Sequence, residues 1–80
     1  MKARKPNSLE KRLRRHAAVA ARFAQRLCGD RAQARALTRR AIQVALQRAR
    51  FVPVPRDLRA WLLTLLFHQF LLSRARCFAA

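Results

Sequence analysis

Residues 22–51 read RFAQRLCGDRAQARALTRRAIQVALQRARF, and the fold turns on how this stretch is punctuated. Gly29 is the only glycine of the chain. It follows an apolar-periodic run and stands directly before Asp30. A glycine in that place ends a helix in the left-handed backbone region that other residues resist. An aspartate in that place caps the next helix by accepting from its free N–H groups. The stretch therefore reads as one helix stopping and a second one starting.

Working back from Gly29, the spacing predicts a helix over Leu9 to Cys28. Leu9, Leu13, Ala17, Ala20, Ala24 and Leu27 recur at helical intervals, with Val19 and Phe23 beside them. Ser8 is a suitable N-cap, and Glu10 sits in the first turn, where the helix dipole favours an acid. Residues 1–7, MKARKPN, read as a basic disordered arm. Residues 8–80 read as a single helical domain.

Working forward from Asp30, a second helix is predicted over Arg31 to Arg50. Ala34, Leu37, Ala41, Val44 and Ala45 share one side, widened by Ile42, Leu46 and Ala49. Arg39, Arg40, Gln43, Gln47 and Arg50 form the polar strip. The segment FVPVPRD, Phe51 to Asp57, then breaks the helix, because Pro53 and Pro55 forbid its continuation. Asp57 caps a third helix, predicted over Leu58 to Arg76. The expected fold is all-α, three helices with a proline loop before the third.

That third helix is apolar nearly all round. Leu58, Trp61, Leu62, Leu63, Leu65, Leu66, Phe67, Phe70, Leu71 and Leu72 surround its axis. A helix of this kind is normally buried on every side. Two neighbouring helices cannot cover it, so an exposed apolar patch, and with it a partner or a dimer, is expected. The apolar run Ala60 to Leu72 is too short to span a bilayer, which takes about 20 residues. A membrane is not the expected partner.

Charge narrows the function. Nineteen Lys and Arg face three acids, giving a net charge of +16 over 80 residues. Sixteen of the basic residues are Arg, whose planar fork matches phosphate. Such a chain seeks polyanions, nucleic acid first among them. A chain this short also buries only about 60% of the surface it exposes unfolded. Help from a partner is in keeping with so thin a core.

Catalytic chemistry finds no residues to work with. Asp30 and Asp57 are assigned to helix caps and Glu10 to a first turn, so no acid pair remains for general acid and base. His16 and His68 lie on different helices without ligand-spaced neighbours. Cys28 and Cys77 form no CxxC pair. The expectation is no enzyme, no metal, no cofactor and no small-molecule substrate. The basic Met1 to Pro6 is not followed by an apolar stretch with a cleavage site. Reduced cysteines in a cytoplasmic protein are therefore expected.

The order of these pieces resembles a known arrangement. Gly29-Asp30-Arg31-Ala32 after an amphipathic helix, Ala34 and Leu37 on the next turns, and Leu58-Arg59-Ala60-Trp61-Leu62 after the loop resemble the second conserved region of extracytoplasmic-function-type bacterial sigma factors. The resemblance covers about Ala18 to Arg76. It implies a sigma-like domain whose first two helices dock on RNA polymerase. It also implies a loop and third helix that open promoter DNA and hold a flipped base. By position that loop is Phe51 to Asp57, with Phe51, Arg56 and Asp57 as the base-holding residues.

The sequence departs from that family at Arg35, Arg39 and Arg40, which stand where the family keeps docking acids. Like charges across an interface cost several kcal/mol. The family's second DNA-reading domain has no counterpart in these residues, so another chain is expected to supply it.

Two functional readings follow. In the first, a sigma-like transcription module binds promoter DNA through Arg50, Arg56, Arg59, Arg74 and Arg76. It works with RNA polymerase or a second sigma-like chain. In the second, the chain captures an anti-sigma factor, a polymerase subunit or its own copy without reading DNA. The expected partner-binding residues are Arg35, Arg39 and Arg40, together with Phe67, Phe70 and Leu71. A third reading, a basic protein of RNA or membrane surfaces, meets the absence of Tyr and the single Trp.

Overall fold

In the computed structural model, residues 8–79 are described, with side chains as far as residue 75. The arm at residues 1–7 and the side chain of Arg76 lie outside the described residues. Four helices follow one another: α1 Ser8–Arg15, α2 Ala17–Cys28, α3 Arg31–Arg48 and α4 Leu58–Ala79. No strand occurs among the described residues.

The all-α expectation holds, and the three-helix count does not. The single helix expected over Leu9 to Cys28 is broken at His16, whose backbone sits at φ −95°, ψ 5°. The His16 N–H donates to the Leu13 carbonyl at 3.0 Å, a tight final turn, and the helix restarts with Ala20 N–H donating to the His16 carbonyl at 3.0 Å. The break gives Arg12, Arg14 and Arg15 a helix C-terminus to face, where the dipole favours cations. It also turns α1 so that it touches both α3 and α4. Ser8 is the first residue of α1 and not its cap, a shift of one position.

The punctuation at Gly29 and Asp30 is as expected. Gly29 takes φ 71° and its N–H donates to the Gln25 carbonyl at 2.7 Å. Asp30 is extended and its Oδ2 accepts from Gln33 N–H at 3.2 Å. Asp57 repeats the device, its Oδ1 accepting from Ala60 N–H at 3.0 Å. The expected end of the second helix at Arg50 moves back to Arg48. The N–H groups of Phe51 and Val52 both donate to the Arg48 carbonyl at 2.9 Å, because Pro53 drives the chain out of helix. The last helix runs to Ala79, past the expected end at Arg76, since neither Gly nor Pro follows to stop it.

α3 is the centre of the bundle and packs against all three other helices. Ala20 and Ala24 of α2, with Ala41 and Ala45 of α3, are fully buried, so small side chains let these helices approach closely. Leu13, Leu62 and Leu66 are the largest fully buried side chains. Each contributes about 1.5–3 kcal/mol by leaving water. Thr38 is buried, but its Oγ1 donates to the Ala34 carbonyl at 2.8 Å. Among the described residues no buried side-chain polar atom lacks a partner.

Candidate nucleic-acid interface

The α3–α4 connection forms one end of the bundle. Phe51 is 85% exposed there, and Val52 and Val54 are exposed beside it. Phe51 and Val52 lie in the turn that closes α3, and Pro53 and Pro55 then keep the chain from returning to helix. Arg48 and Arg50 precede Phe51, and Arg56 and Arg59 follow it. All four arginines are exposed and none has a carboxylate partner. Asp57 is exposed too and caps α4, keeping its charge, so four arginines of this segment stand against one acid.

The expected nucleic-acid set is therefore divided. Arg50, Arg56 and Arg59 all lie in or directly beside the α3–α4 connection that carries Phe51, and all are exposed. Arg74 lies fifteen residues beyond Arg59 on one helix, about 22 Å away at 1.5 Å per residue. Its guanidinium sits over the Phe70 ring, 5.7 Å from the centroid. Arg48, not among the expected nucleic-acid residues, is exposed beside the same connection. Its position one turn before Phe51 was the available signal.

The expected flipped-base residues share the loop, but only two have free side chains. Phe51 and Arg56 point to solvent, whereas Asp57 is engaged at the helix start. Trp61 is half-buried at the edge of the core, packed against it.

The expected partner residues fall on two separate faces. Arg35, Arg39 and Arg40 are exposed on α3. Arg31, Arg35 and Arg39 succeed each other at four-residue intervals, a like-charge spacing that costs about 0.2–0.5 kcal/mol per pair. Phe67 and Leu71 are exposed on α4, and Phe70 is half-buried with its ring 6.4 Å from that of Phe67. Leu72, named in the sequence as part of the apolar helix but not among the expected partner residues, is 53% exposed. From Leu71 to Ala75 every side chain is exposed, so this turn of α4 projects past the bundle that covers Leu62 and Leu66. An open groove of about 580 Å³ is lined by Arg40, Gln43, Val44, Leu46 and Gln47 of α3 and by Gln69 of α4.

Cys28 is half-buried, and burial pushes its thiol above the ordinary range, with the Asp30 carboxylate adding to the shift. Among the described residues no three His, Cys, Asp or Glu side chains come together as a metal site. No described helix is long and apolar enough to cross a membrane. Compared with protein-family models, with curated proteins and with solved structures, the chain matches none.

Proposed function

We propose that this chain is a sigma-like transcription module that binds promoter DNA through its α3–α4 end and acts with another chain. The observation that carries the reading is Phe51, 85% exposed and bracketed in sequence by Arg48, Arg50, Arg56 and Arg59, with Asp57 the one acid among them and no ion pair to it. Arginines of this kind hold successive phosphates, and an exposed aromatic ring stacks an unpaired base. Stacking contributes about 1–3 kcal/mol per base and tolerates any sequence. The loop thus suits a strand already separated from its complement. RNA polymerase or a second sigma-like chain would supply the remaining functions, and the projecting turn of α4 offers that chain Phe67, Leu71 and Leu72. The setting is the bacterial nucleoid.

The test is binding of a labelled single strand to the wild-type chain and to Phe51→Ala. Loss of about 1–3 kcal/mol in the variant is expected. Equal affinity for both would remove the loop from the interface.

A second reading rests on the exposure of Phe67, Leu71 and Leu72. In it the chain is a protein-capture module and DNA is not bound. It separates from the first by whether the wild-type chain holds DNA at all.

A further inference from the structure

The outward face of α3 carries a second pattern, distinct from the loop. At about 100° per residue, Ala32, Ala36, Gln43 and Gln47 fall opposite the buried Ala34, Leu37, Ala41 and Ala45. Arg39 and Arg40 flank this strip on its two sides. All six strip and flank residues are exposed. Arg40, Gln43 and Gln47 line one open groove, so these three side chains share a common space.

A solvated helix face usually balances its charges in pairs four residues apart. α1 does so, with Arg14 bonded to Glu10 at 2.8 Å. α3 has no acid between its first and last residue, although it gathers like charges. Its centre is amide and methyl, and its rims are guanidinium. The buried side of the same helix packs against all three neighbours, which holds the outward face rigid.

We propose that this face reads duplex DNA in the major groove. Gln43 and Gln47 meet base edges, and Arg39 and Arg40 meet the phosphates on either side. A helix with its side chains is about 10–12 Å across, and the groove is about 12 Å wide. A glutamine amide can bond adenine N6 and N7 together, and an alanine methyl can pack on the thymine methyl. The face should therefore prefer A·T pairs at its centre. The deep, narrow major groove of duplex RNA would not admit it. This inference rests on the reading of the chain as a DNA-binding module, and it does not depend on Phe51.

The test begins with selection of duplexes from a randomised pool by the wild-type chain. Affinity is then measured for a selected duplex and for a permuted one of equal composition. The same pair is measured with Gln43→Ala/Gln47→Ala, with Arg39→Ala/Arg40→Ala, and with 7-deazaadenine replacing adenine in the selected duplex. Helical circular dichroism reports that each variant is folded. The wild-type chain should prefer the selected duplex by roughly tenfold or more. The glutamine variant and the 7-deaza duplex should both lose that preference while affinity for the permuted duplex stays. The arginine variant should weaken both duplexes alike. A wild-type chain without preference overturns the inference, as does a preference that survives both the glutamine change and 7-deazaadenine. Single-strand binding measured alongside separates the outcomes. If it persists without duplex preference, only this inference falls, and if no DNA is bound, the proposed function falls with it.

Discussion

Arg14 Nη2 lies 2.8 Å from Glu10 Oε2, and Glu10 is the one described acid whose carboxylate meets a described cation. Asp30 and Asp57 are both engaged as helix caps. Three acids cannot balance nineteen basic residues, so the arginines of α3 and of the loop keep a net positive field, which is the physical basis for binding a polyanion.

The Glu10–Arg14 pair itself should matter little to stability. It is exposed and local, so Glu10→Gln should cost about 0.5 kcal/mol or less. Thermal unfolding followed by circular dichroism checks this. A loss well above about 1 kcal/mol would mean that α1 depends on the pair.

The caps should matter more. Asp57→Ala removes the acceptor for Ala60 N–H and should cost about 0.5–2 kcal/mol, with Asp57→Asn retaining most of it. Urea unfolding of the three proteins provides the comparison. Equal midpoints for the alanine and asparagine variants would contradict the capping role.

Leu62→Ala tests the core beneath the apolar helix. Leu62 is fully buried, and the change should cost about 2–5 kcal/mol. Leu72→Ala, on the projecting turn, should change stability by only about 0.5 kcal/mol. Urea midpoints for the two variants should therefore differ widely. Similar losses would mean that Leu72 packs in the fold and is not available to a partner.

Cys28 supplies a pH dependence. Burial first, and the Asp30 carboxylate second, raise the folded-state pKa of its thiol. The neutral thiol is the form the fold favours. Its contribution is complete below the unfolded-state pKa and is lost as pH rises through the higher folded value. In a Cys77→Ser background, Cys28 should react with iodoacetamide near about pH 8 more slowly in the folded chain than in urea. Equal rates would contradict the shift.

The parts of this fold that were legible in the sequence are those marked by residues with one dominant local role. Gly29 and Asp30 could only stop and restart a helix, and Pro53 with Pro55 could only open a loop. The apolar excess of α4 was equally plain, and Phe67 and Leu71 are exposed because the bundle has too few helices to cover them. The break at His16 left no such mark. Leu13 and Ala20 keep the same helical stripe on both sides of it, so the periodicity runs through unchanged. The break coincides with α1 packing on both α3 and α4, contacts that no local pattern marks. The separation of Arg59 from Arg74 was legible as well, since the helix expected over Leu58 to Arg76 already places them near opposite ends, and α4 keeps them there.

The central claim is that Arg48, Arg50, Arg56 and Arg59 hold the phosphates of a DNA strand around Phe51. The most direct measurement is the salt dependence of single-strand affinity. It is taken from about 50 to 400 mM salt for the wild-type chain and for a variant with all four arginines changed to Gln. Each phosphate contact contributes about −0.7 to the log–log slope, so the variant should flatten it by about 3. A slope that is the same in both proteins would contradict the account.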